Sequence, residues 1–74
     1  MLHVLVQNGD HKTWTTEYYI EKIESYYYIL APRPYGEKPL TLGQYSSFEA
    51  AKEILEEMFE AEKDEEFYKM PIFF

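Results

Sequence analysis

From residue 48 onward apolar side chains return at every third or fourth position: Ala51, Ile54, Leu55, Met58 and Ala61. That spacing predicts a helix with one apolar stripe, and Glu49, Lys52, Glu53, Glu56, Glu57, Glu60 and Lys63 fall mostly opposite it. The preceding Ser46-Ser47-Phe48-Glu49 reads as a capping box. In it the Ser46 hydroxyl takes an orphan amide of the first turn, and Glu49 reaches back to the cap's own amide. The helix should unwind over residues 64–66, because carboxylates near a helix C-terminus oppose its macrodipole. A helix that is apolar on one face must lie on an apolar surface, and the remaining sequence supplies one in strands.

Residues 2–7 alternate Leu2, Val4, Val6 against His3, Leu5, Gln7 and stop at Asn8-Gly9, a pair suited to a tight turn. Residues 12–16, rich in Thr and Trp, should return antiparallel, with Trp14 covering one face of the first strand. Residues 17–24 read equally as a third strand or as a single helical turn. Residues 26–31 are aromatic, β-branched and uncharged, which predicts a central strand ending at Pro32 and Pro34. Turn residues 34–37 then lead into a strand over residues 40–45, where Gly43 suggests a bulge or a close backbone approach. The tail, residues 67–74, is apolar and should be extended, interrupted by Pro71. The expected architecture is α+β. An antiparallel meander of four or five strands carries one amphipathic helix on one face, with the C-terminal segment along an edge, in a single domain over residues 1–74.

A chain of 74 residues has a small core, and chains this short usually add disulfides, a metal or a partner subunit. There is no cysteine, and His3 and His11 are the only histidines. They lie across the first turn, beside Asp10, and could meet on a hairpin. A metal normally recruits three or more protein ligands, so neither a metal nor another cofactor is expected. Oligomerisation is the remaining reinforcement, in its commonest form a two-fold homodimer. The chain starts Met1-Leu2-His3 without a basic stretch followed by an apolar run, and has no segment long enough to span a bilayer. The corresponding expectation is a cytoplasmic protein with no membrane partner.

No catalytic constellation emerges. The helix carboxylates form a like-charged crowd, whereas acid-base chemistry wants two carboxylates in contrasting environments. Ser46 and Ser47 lack a neighbouring histidine, and helix capping already accounts for them. Gly9, Gly36 and Gly43 are isolated, so there is no phosphate-binding loop. Direct nucleic-acid binding is disfavoured by a net charge of -7 and seven scattered basic residues. A binding protein, not an enzyme, is the class that remains.

Two surfaces are candidates for binding. Residues 49–66 hold nine acids against Lys52 and Lys63, a net of -7, while the rest of the chain balances at five acids and five bases. The helix therefore carries a one-sided negative field that would steer towards a basic groove on a partner protein, as a DNA mimic does. Glu53, Glu56, Glu57 and Glu60 are its outward members. A glutamate-rich helix used only for solubility gives the same pattern. The second surface comes from Tyr26-Tyr27-Tyr28, which alternates across the sheet. Either Tyr27 or the pair Tyr26 and Tyr28 must face away from the helix, and that face wants cover from the tail, a second copy or a stacked ligand.

The run Leu42-Gly43-Gln44-Tyr45-Ser46-Ser47-Phe48-Glu49-Ala50-Ala51-Lys52, then Ile54-Leu55-Glu56-Glu57 and later Phe67-Tyr68-Lys69-Met70-Pro71, carries a family resemblance. It resembles a group of short, uncharacterised proteins of phages and mobile elements in Gram-positive bacteria. Those have a Leu-Gly-x-Tyr-Ser strand, a serine-capped amphipathic helix and a Met-Pro tail. The resemblance covers the second half of the chain well and the first half only by pattern. Gln44 stands where those proteins often carry an acid, and Ile72-Phe73-Phe74 extends beyond their usual ending. It lends no site residue. It implies a phage-like setting, in which small acidic proteins often act as stoichiometric inhibitors of host systems. The function expected is thus a non-enzymatic, acidic anti-defence protein that binds another protein. The alternatives are a nucleotide sponge with an aromatic pocket between subunits and a self-assembling structural protein.

Overall fold

A computed structural model of the chain describes residues 1–9, 11–64 and 66–72; Asp10, Glu65, Phe73 and Phe74 lie outside them. The elements run β1 (Leu2–Leu5), β2 (Lys12–Thr15), β3 (Tyr19–Ile23), β4 (Tyr26–Ala31), β5 (Leu40–Tyr45), α1 (Phe48–Lys63) and β6 (Phe67–Lys69). Among the described residues the fold is α+β with a single helix, and the ambiguous segment 17–24 holds a strand, Tyr19–Ile23. The strands form two three-stranded sheets, one in the order β2-β1-β6 and the other β3-β4-β5. Hairpins make both antiparallel pairs of the second sheet and the β1-β2 pair of the first. The tail does lie along an edge, but β6 pairs with β1 in parallel, so the first and last strands are neighbours.

The period-2 pattern decides which side of each strand is buried. Leu2, Val4 and Val6 on the first sheet and Ile29 and Ala31 on the second follow that alternation, while the register slip on β5 lets Leu42 and Tyr45, three residues apart, both turn inward, and all join Ala50, Ala51, Ile54, Met58 and Ala61 of α1 in one core. Met70, just past β6, is also fully buried there, its amide donating to the Leu5 carbonyl at 3.1 Å. The helix thus covers the inner faces of both sheets. Leu55 packs only partly buried against this core, at the margin of the apolar stripe.

Three local features differ from or sharpen the expectation. Ser47, not Ser46, is the N-cap: its Oγ accepts from the Ala50 amide at 3.1 Å, so Glu49 sits one position too early for a capping box. The β4-β5 connection turns at Tyr35 and Gly36, both with positive φ. Gly43 does mark a close approach. The Tyr45 ring lies directly over it, and the register slips by one residue between Ile29 and Leu30 on the facing strand.

The tail is held by side chains as well. Gln7 Nε2 donates to the Pro71 carbonyl at 3.1 Å and its Oε1 accepts the Gln44 amide at 2.8 Å, while the Tyr45 hydroxyl donates to the Pro71 carbonyl at 3.0 Å. Those contacts tie the end of β1, β5 and the segment after β6 together.

Candidate functional site

The helix presents two kinds of carboxylate. Glu49, Glu53, Glu56 and Glu60 are exposed, with Glu60 paired to the equally exposed Lys63 at 3.4 Å and the Glu53 charge near enough to β6 to act on the Tyr68 hydroxyl. Glu57 and Glu62 flank this stripe and are anchored. The Tyr68 hydroxyl donates to Glu57 Oε1 at 2.6 Å and the Tyr18 hydroxyl to Glu62 Oε1 at 2.6 Å. The N-terminal ammonium of Met1 also reaches Glu62 Oε2, at 3.6 Å. Burial and the adjacent carboxylate push both tyrosine hydroxyls well above their ordinary range, so they remain donors and keep the glutamates fixed. Of the four expected outward glutamates, Glu53, Glu56 and Glu60 point to solvent unanchored by the sheets, whereas Glu57 is tethered to β6.

On β4 the alternation sends Tyr27 to the helix side, where its ring meets Phe48 edge-on at 5.9 Å. Tyr26 and Tyr28 take the far side of that sheet. Tyr26 is 44% exposed and stands opposite the exposed Ile23, whereas Tyr28 is half-buried opposite Glu21. The glutamates and this tyrosine pair therefore lie on different sides of the molecule, separated by the core, and do not combine into one site.

A third surface escaped the reading of the sequence. On the outer side of the first sheet, the register aligns Trp14, His3 and Phe67 in one row across β2, β1 and β6, and Lys12, Leu5 and Lys69 in the next. The His3 imidazole stacks on the Trp14 indole at 4.2 Å with planes 9° apart, and meets the Phe67 ring edge-on at 5.0 Å. Lys12 Nζ sits 5.7 Å from the Phe67 ring centre. Trp14 is 61% exposed and Phe67 46%. His3 thus faces Trp14, while His11 precedes β2 and stands in no register pair with it, so the two histidines are not opposed. The signal for this surface was the odd-numbered phase of residues 2–7, but its third strand comes from the far end of the chain.

Beside Trp14, at the free edge of β2, two clefts of about 350 and 410 Å³ share Thr15, Pro32, Arg33 and Pro34 as walls. Among the described residues no helix is long and apolar enough to cross a membrane. Comparison with protein-family models, curated proteins and solved structures finds no match for this chain.

Proposed function

We propose that this protein is a non-enzymatic binding module that engages a partner protein carrying a basic surface, through the outward face of α1. The observation that carries the reading is the exposed stripe Glu49, Glu53, Glu56 and Glu60, bordered by carboxylates that tyrosine hydroxyls hold in place. A one-sided negative field accelerates encounter with a basic groove, and the two anchored carboxylates at its border need little reorganisation on docking. Inhibition of a host nucleic-acid-binding protein by stoichiometric occupation of its groove is the sharpest form of this reading, and the resemblance to small phage proteins supports it.

The test is retention of a partner from host lysate by the tagged chain, compared with a variant carrying Glu49→Gln, Glu53→Gln, Glu56→Gln and Glu60→Gln, which leaves the Tyr68–Glu57 bond in place. The wild type should retain one protein reproducibly, with binding that weakens as salt rises, and the variant should lose it. Equal retention by both would remove α1 as the docking face. Binding would then have to be sought on the side of the second sheet that bears Tyr26 and Tyr28.

A further inference from the structure

The outer face of the first sheet differs in character from the rest of this acidic chain. Its six outward strand residues comprise three rings, two lysines and a leucine, without a carboxylate. Exposed tryptophan and phenylalanine beside a cation are the residue types that anchor protein interfaces. We propose that this face is a second docking surface, whose occupant is helix α1 of another copy of the same chain. The proposal rests on the reading of α1 as a docking face and names one of its partners.

Complementarity of charge and spacing argues for that occupant. Lys12 and Lys69 stand opposite Leu5 on either side, so their backbone positions are two interstrand steps apart, about 9.6 Å, and the Lys12 side chain, now leaning over the Phe67 ring, swings back over its own strand to meet a carboxylate there. Glu53 and Glu60, both exposed and seven residues apart, are separated by about 10.5 Å along nearly the same side of α1. A helix laid across the strands can therefore set one glutamate on each lysine. Its neighbouring row, Lys52, Glu56, Phe59 and Lys63, then turns towards Trp14, His3 and Phe67. Phe59 is 47% exposed. Phe59 lies between Glu56 and Lys63 in that row, its ring also tilted against Tyr18 at 5.4 Å, and an exposed phenyl group beside an ammonium group is what indole and phenyl faces accept.

The copies repel through their net charge, but at physiological salt that repulsion is screened beyond about 8 Å while close contacts are not. Because α1 covers the inner side of the first sheet and the ring face is its outer side, one copy offers the two surfaces in opposite directions. The contact is heterologous, and repeating it builds an open head-to-tail series instead of a closed two-fold dimer.

Sedimentation velocity of the full chain from about 10 µM to about 1 mM tests this, with the emission of Trp14, the sole tryptophan, as a second readout. The wild type should grow beyond dimer while Trp14 emission shifts to the blue. Lys12→Glu/Lys69→Glu and Glu53→Lys/Glu60→Lys should each associate at least about tenfold more weakly alone. Mixed together they should associate again, since every face then meets its opposite charge. All substituted residues are exposed, and circular dichroism checks that each variant is folded.

A wild type that stays monomeric, or a Glu53→Lys/Glu60→Lys variant that still self-associates, overturns the proposal. So does a Trp14 response to a single-stranded oligonucleotide but not to protein concentration, which assigns the face to nucleic acid. The Lys12→Glu/Lys69→Glu variant separates the two readings, because it leaves α1 intact. If it still retains a basic partner although self-association has failed, only the head-to-tail contact falls. If charge-swapped copies associate but α1 retains no basic partner, only the function proposed above falls.

Discussion

Replacing Gly43 with alanine adds one methyl group, and the structure says where it goes. The new Cβ would lie 2.5 Å from the Tyr45 hydroxyl oxygen and 2.7 Å from a ring carbon, well inside contact distance. Tyr45 cannot yield easily, since it is 2% exposed and its hydroxyl is bonded to the Pro71 carbonyl. Overpacking of this kind costs about 1–3 kcal/mol. If the ring swings aside, the hydrogen bond adds about 1 kcal/mol to that. The smaller conformational freedom of unfolded alanine returns about 0.4–1 kcal/mol, and Gly43 is not among the positive-φ residues, so no backbone strain enters. The expected net loss is about 2 kcal/mol, from a total stability on the order of 4–11 kcal/mol for a chain of this size. Urea denaturation followed by circular dichroism reads it directly. In a Tyr45→Leu background the same substitution should cost at least about 1 kcal/mol less, because the obstacle has gone. A Gly43→Ala protein within about 0.5 kcal/mol of the wild type, or a cost unchanged in the Tyr45→Leu background, would refute the claim that the ring occupies that space.

Four further outcomes are expected. Ile54→Ala, at a fully buried site, should cost about 2–5 kcal/mol by denaturation, and Leu55→Ala distinctly less because its side chain is only partly covered. Ser47→Ala should cost about 1 kcal/mol through the lost cap while Ser46→Ala leaves that bond intact, a comparison that thermal melts resolve. Changing the unanchored Glu53, Glu56 and Glu60 to Gln should leave stability the same or slightly raised, since relieved repulsion is worth a few tenths of a kcal/mol per pair, whereas Glu57→Gln weakens the bond from Tyr68 and should lower it. The triple change should slow association with a basic partner by about an order of magnitude and flatten its salt dependence, as stopped-flow measurements would show. The hydroxyls of Tyr18, Tyr45 and Tyr68 are all raised, first of all by burial. Their contribution to stability is therefore complete below the ordinary tyrosine value of about 10 and is lost as pH climbs beyond it, where unfolded tyrosines release protons that the folded ones keep. Denaturation midpoints measured on either side of that value should be level below it and fall above it.

The helix and the middle hairpin were legible because their evidence is local. Serines before a run with a 3.6-residue period fix α1 to within one residue, and an uncharged aromatic run stopped by prolines fixes β4. The one-residue error at the cap arose because Ser46 and Ser47 satisfy the same pattern, and only the backbone shows that Ser47 faces the Ala50 amide. The close approach at Gly43 is legible too, since a glycine inside a strand points to something lying against it. The division into two sheets was not legible. It depends on β6, three residues long, finding β1 across the whole chain, and no local pattern encodes a parallel partner so distant.

That same pairing makes the two sheet faces unequally visible in the sequence. The tyrosine pair on β4 announces itself within three consecutive residues, so alternation alone assigns Tyr26 and Tyr28 to the side away from α1. The row of Trp14, His3 and Phe67 draws one ring from each of three strands, and each alone looks ordinary: a strand tryptophan, a solvent-facing histidine, a tail phenylalanine. Only when β6 docks do the rings align and Lys12 and Lys69 fall either side of Leu5. The surface therefore exists only in the folded chain, and its assembly is coupled to the clasp that Gln7 and Tyr45 make on Pro71. Loosening that clasp, as Gly43→Ala should, would release β6 before it unfolds the core. The ring face would then lose Phe67 and Lys69, and Glu57 its bond from Tyr68, while α1 stays helical, so hydrogen exchange should show the Phe67–Lys69 amides opening ahead of those of α1. Simultaneous opening of both would mean that β6 and the helix form one cooperative unit.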